Sequence, residues 1–161
     1  MQTKIHNILL QLIKDPLFAE GTAWTRRCFQ NNEIVVKEGE KGGSIFLIEK
    51  GSLRVSGNID LEKQKQIKAG IWELVEGEIF GELALQEKQI RTASVRAISN
   101  GCLVEIYGDR LIAYLDEHPQ QGYLFYKEVY EILLAKLNQA NHRVNDLFAW
   151  GLKVHNIDQH L

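Results

Sequence analysis

The residues from Phe80 to Ala97, FGELALQEKQIRTASVRA, bring together the groups needed to hold a sugar hydroxyl and a singly charged phosphodiester. An ionised carboxylate only accepts hydrogen bonds, so Glu82 suits the proton of a ribose hydroxyl. A phosphodiester is best met by a guanidinium fork, a hydroxyl and free backbone N–H groups at a helix start. Arg91, Thr92 and the amides around Leu83 and Ala84 offer all three. Gly81 lets backbone approach a ligand closely, and Ala84 and Leu85 continue a small-residue turn able to begin a helix. Ala93, Val95 and Ala97 then alternate with Thr92, Ser94 and Arg96. That period of two predicts a strand beginning at about Arg91, with its first residues at the mouth of a pocket.

Taken singly these features are bland. A Gly-Glu pair in a turn is ordinarily solvated, and a single arginine on an edge strand is ordinarily a surface charge. Their joint spacing, however, resembles the phosphate-binding cassette of the cyclic-nucleotide-binding domain family, F-G-E-x-A/G-L, a short loop, then R-x-A-x-V-x-A. Phe80, Gly81, Glu82, Ala84, Leu85, Arg91, Ala93, Val95 and Ala97 occupy those places. A second block, EGEKGGSIFLIEKG from Glu38 to Gly51, resembles the family's E-G-D-x-G-D turn and following strand. Leu74, Gly77 and Phe80 match its approach to the cassette. The departures are Gly43 where an acidic residue is usual, Glu40 for aspartate, and Ile90 for the proline often found before the arginine. The first two are read as lying in a turn remote from the ligand.

The resemblance implies a mainly β fold with flanking helices, a cyclic-nucleotide-binding β-roll between an N-terminal helix and a long C-terminal helix. It implies a receptor and not an enzyme, with cyclic AMP or cyclic GMP as ligand and no cofactor. Glu82 would take the ribose 2′-hydroxyl, Arg91 and Thr92 the exocyclic phosphate oxygens, and Gly81, Leu83 and Ala84 the backbone contacts. Thr92 after the arginine resembles the arrangement in cyclic-GMP-dependent kinases, whereas cyclic AMP is the commoner bacterial ligand. The motifs cover Glu33 to Ile106. The alternative is a degenerate β-roll that no longer binds nucleotide and works as an interaction or dimerisation module.

Composition narrows the field. The 161 residues, 45% of them apolar, allow one domain with a proper core. A net charge of −2 gives no basic field for nucleic acid, so direct DNA binding is not expected. No apolar run approaches a bilayer's thickness and Met1 to Leu12 is not a signal sequence, so the chain reads as cytoplasmic and without a membrane. His6, His118, His142, His155 and His160 all lie outside Glu33 to Ile106, which excludes haem-sensor and cupin-like metal sites there. Cys28 and Cys102 read as separate buried thiols.

The elements that must position the cassette follow from periodicity and punctuation. Ile5, Ile8, Leu9, Leu12 and Ile13 form a helical stripe stopped by Asp15-Pro16, within an N-terminal segment 1–28. Short apolar or alternating runs broken by Gly and Asn predict about eight strands in the roll, 29–108. Within it, 57–70 reads as a strand and a lysine-rich hairpin loop. A short helix over Arg110 to Glu117 and a long one over 120–150 follow, and 151–161 is a tail. Tyr126, Tyr130, Leu133, Leu137, Ala140, Val144 and Leu147 step by four and three, an a/d seam that predicts a homodimer through this helix. Asn138, Asn141 and Asn145 lie near the seam, where polar groups could meet a base edge. The tail leaves no room for a helix-turn-helix, so output is expected through an unidentified protein partner or dimer geometry.

Overall fold

The computed structural model describes residues 3–61, 65–85 and 90–154. The chain forms two compact units, 1–125 and 126–161. In the first, helix α1 (Lys4–Leu12) precedes eight strands: β1 (Trp24–Phe29), β2 (Ile34–Val36), β3 (Ser44–Lys50), β4 (Leu53–Leu61), β5 (Lys65–Leu74), β6 (Ile79–Phe80), β7 (Ser94–Ala97) and β8 (Gly101–Tyr107). Helix α2 (Gly108–Glu117) and the long helix α3 (Pro119–Val154) follow, α3 continuing into the second unit.

The strands form two antiparallel four-stranded sheets, in the orders β1-β8-β3-β6 and β2-β7-β4-β5. Their facing side chains make one core, including Phe29, Phe46, Ile48, Leu53, Val55, Phe80, Val95 and Leu103. On β3 the run Ile45 to Ile48 is buried throughout, as is Val104 with Ile106 on β8. Burial on both faces of a sheet requires a further layer. Helix α2 lies against β8 and supplies part of it. The stripe Ile5, Leu9 and Leu12 of α1 is buried too. Thr3 caps α1 by accepting the amide of His6, and its hydroxyl donates to the Gly77 carbonyl at 2.7 Å.

Four details differ from the sequence expectations. The roll begins earlier, at Trp24. The supposed hairpin loop is mostly strand, because β4 and β5 pair in register from Leu53↔Leu74 to Leu61↔Lys65; its tip lies outside the described residues. The cassette strand starts at Ser94, with Arg91 to Ala93 irregular. Cys28 and Cys102 are not separate buried thiols: they are register partners on β1 and β8, Cys28 is exposed, and the two form a disulfide. Antiparallel pairing of strands far apart in the chain brings them together, which spacing along the sequence could not show.

A tether from α2 to the turn after α1 gives a pH signature. Tyr114 of α2 donates its hydroxyl to Asp15 Oδ2 at 2.5 Å. Burial first, and then this bond, push the tyrosine up to about 12. The same bond, with the Leu17 amide, holds Asp15 below its ordinary range. A raised tyrosine contributes stability below its unfolded value of about 10, lost as pH rises through the folded value. A depressed carboxylate contributes above about pH 4, lost as pH falls through its folded value. The melting-temperature difference between the parent and Tyr114→Phe is therefore expected to be flat from about pH 5 to 9 and to shrink on both sides. Thermal unfolding within that range and beyond both of its ends measures it.

Candidate functional site

The site is built where β6 ends and β3 begins. Phe80 of β6 pairs with Phe46 of β3, and their rings stack at 4.8 Å between centroids. Gly81 then turns the chain at φ +79°, a left-handed conformation that favours glycine. A side chain there would also meet the Ser44 carbonyl at 2.9 Å and Arg91 Nη1 at 2.8 Å. What approaches Gly81 closely in this structure is the protein's own guanidinium. Glu82 opens a 3-10 turn, Glu82–Leu85, and is buried at 8% exposure on a molecule whose buried groups are otherwise almost all apolar. Leu83, next in the turn, is exposed, and Ala84 follows within it.

Arg91 returns to the same place from the far side of the cassette loop, whose residues 86–89 lie outside the described set. Its backbone is fixed to the preceding turn: the Arg91 amide donates to Glu40 O at 2.8 Å, and the Gly39 amide donates to Arg91 O at 2.9 Å. Its side chain is half-buried. Nη2 donates to the Ser44 carbonyl at 2.9 Å, and Cζ lies 5.3 Å from the centre of the Phe46 ring, within cation–π range. Burial pulls the guanidinium's pKa down, and the carboxylates of Glu105 and Glu82 oppose that shift; a guanidinium keeps its charge regardless.

The structure thus brings Gly81, Glu82 and Arg91 into one neighbourhood, with the turn containing Leu83 and Ala84 beside it. Thr92 is exposed. The turn from Glu38 to Gly43 is not remote, contrary to the sequence reading. A Cβ on Gly42 would fall 1.9 Å from Arg91 Nε, so the guanidinium occupies the space that glycine leaves open. Sequence reasoning also missed Ser44 and Glu105. The Ser44 hydroxyl donates to Glu105 Oε1 at 2.7 Å, and Glu105 is the register partner of Phe46. The signal was present in β8: alternation puts Glu105 on the face of the core residue Leu103, and a carboxylate beside core residues needs partners.

A half-buried guanidinium, a buried carboxylate and a 3-10 turn thus meet where β6 ends and β3 begins. Residues 26–118 match the family described as Cyclic nucleotide-binding domain, and the chain belongs to that family. Among curated relatives, cGMP-dependent protein kinase 2 of Mus musculus is 30% identical over 129 residues, which are 77% of this chain and 16% of the kinase. The Drosophila melanogaster cGMP-dependent protein kinase, isozyme 2 forms cD5/T2, is 32% identical over 143 residues, 86% of this chain and 13% of that one. The chain therefore spans a small part of these relatives' length. Among solved structures, a cyclic nucleotide-binding domain from Methylobacillus flagellatus KT superposes with TM-score 0.69 at 21% identity, covering 87% of this chain and 82% of that chain. The Catabolite Activator Protein of Thermus thermophilus gives 0.65 at 22%, covering 83% and 63%. At these identities the two structures establish the fold, a roll of two antiparallel sheets with flanking helices. Among the described residues no helix is long and apolar enough to cross a membrane, and no cluster of three or more His, Cys, Asp or Glu is placed to hold a metal ion.

Proposed function

We propose that this chain binds a cyclic nucleotide, cyclic AMP or cyclic GMP, as the non-catalytic ligand-sensing part of a regulatory system. The observation that carries the reading is the half-buried Arg91 guanidinium set between Gly42, Gly81 and the Phe46 ring, with Glu82 buried within electrostatic reach. In this reading Arg91 and Thr92 take the exocyclic phosphate oxygens, the backbone at Gly81, Leu83 and Ala84 completes the phosphate contacts, and Glu82 accepts the ribose 2′-hydroxyl. The curated relatives' names point to cyclic GMP and that of the Thermus structure to a catabolite activator; titration with both nucleotides ranks them.

The output is a shift in α3, passed to a second copy or to a protein partner. The seam residues Tyr126, Tyr130, Leu137, Val144 and Leu147 are exposed along this helix, which supports a homodimer through it. A ligand moves such an equilibrium only by binding one helix arrangement more tightly than the other. Thermal unfolding with each nucleotide tests the reading: a binder at 100 times its dissociation constant gains about 2.7 kcal/mol. The absence of any gain with either one favours the ligand-free interaction module. Glu82→Gln is expected to weaken ribonucleotide binding by about tenfold, the cost of about 1.4 kcal/mol. It should have a much smaller effect on the 2′-deoxy analogues, and competition titration compares the two.

A further inference from the structure

A charged group close to Arg91 has no part in the reading above. Glu105, part-exposed, projects from β8 on the same face as Leu103 and opposite Phe46, both of them core residues. An ionised carboxylate there has about four acceptor sites to satisfy. The Ser44 hydroxyl fills one at 2.7 Å. Ser44 in turn is gripped at its other end, where its carbonyl accepts Arg91 Nη2 at 2.9 Å. Glu105, Ser44 and Arg91 therefore form a chain of contacts running from β8 to the guanidinium. Glu105 is also the leading carboxylate favouring that cation, ahead of Glu82.

We propose that Glu105, acting through Ser44 and its own charge, is the positioning residue for Arg91. It holds the guanidinium over the Phe46 ring and against Gly42, so that the fork is oriented before an anionic ligand arrives. A carboxylate this close to an anion-binding group has two opposed effects. It repels the incoming phosphate, and it removes the freedom that a long side chain otherwise loses on binding. The contacts decide between them: the guanidinium is already hydrogen-bonded, stacked and packed against a glycine on the site's wall, so the net effect of Glu105 is to raise affinity. Glu105 does not touch the ligand. This inference rests on the reading of Arg91 as the phosphate-binding group.

The test uses the full chain with Glu105→Gln, which keeps shape and an acceptor for Ser44, and Ser44→Ala as an independent second break. Titrations use cyclic AMP, cyclic GMP and the two phosphorothioate diastereomers of cyclic AMP. Ligand-free nitrogen NMR follows rotation of the Arg91 guanidinium about Nε–Cζ. Glu105→Gln is expected to weaken both nucleotides by about tenfold, one charge-assisted contact's worth. It should also narrow the discrimination between the diastereomers and speed the rotation. In an Arg91→Ala background it should weaken binding no further, since the positioning effect passes through that side chain and only the repulsion of the phosphate is left to lose. Unchanged or tighter binding by Glu105→Gln overturns the proposal. So does an equal loss with and without Arg91, or unaltered guanidinium rotation in both variants. A parent that binds neither nucleotide yet shows a restrained guanidinium released by either substitution sinks the cyclic-nucleotide reading and leaves the positioning role standing.

Discussion

Replacing Arg91 by alanine is expected to lower affinity for a cyclic nucleotide by about 100-fold or more while the roll stays folded. Each charge-assisted hydrogen bond lost from a phosphate is worth roughly 1.5 to 3 kcal/mol, and a guanidinium fork makes two. The fold tolerates the change because the Arg91 backbone, not its side chain, carries the bonds to Gly39 and Glu40. The Ser44 carbonyl loses its side-chain donor, and the site's rim gives water a route to it. Arg91→Lys separates charge from shape: it keeps the cation and loses the planar fork, so its affinity should fall between parent and alanine. Equilibrium titration, with ligand-free melting as the control for folding, reads the series. Parent-like binding by Arg91→Ala would place the anion elsewhere.

The second large effect is on stability, and it comes from the ring beneath that guanidinium. Phe46→Ala is expected to cost about 3 to 5 kcal/mol, the range for truncating a buried phenylalanine. Phe46 is 3% exposed, stacks on Phe80 and belongs to the core shared by both sheets. A domain's total stability is commonly only about 5 to 15 kcal/mol, so the alanine variant gives up a large share of it. Urea unfolding measures the loss as a lowered midpoint at an unchanged slope. Phe46→Leu, smaller in volume change, keeps the fold at a lower cost and removes the π face under Arg91, worth about 0.5 to 2 kcal/mol depending on desolvation. Comparing the two variants separates the ring's structural part from its part in the site.

The residues of the candidate site were legible in the sequence, and their geometry was less so. Gly81, Glu82 and Arg91 were legible because chemistry and spacing agree over one short segment, and the structure gathers them in one neighbourhood. Glu105 was hidden because its significance depends on register: opposite Phe46 it lies beside core residues, whereas in the linear string Val-Glu-Ile reads as an ordinary alternation. Gly42 was discounted for a related reason. Its turn is distant along the chain from the cassette, and only the pairing of Arg91 with Glu40 and Gly39 reveals how near it lies. The disulfide was missed through the same blindness to strand pairing. Helices were read well, since a stripe such as Ile5, Leu9 and Leu12, or a breaker such as Asp15-Pro16, is local information. Strand ends were read less well, because pairing partners set them: β4 and β5 extend each other through a segment whose polar composition suggests a loop.

The reciprocal amides of Gly39 and Arg91 carry a practical consequence. Each is protected only while the other's strand of backbone stays docked, so the glycine turn and the cassette open to solvent deuterium as one cooperative piece. Whatever clamps the arginine should therefore slow exchange at Gly39 as well. A labelling experiment read at that single glycine, which presents no side chain to any ligand, would report whether the arginine is clamped.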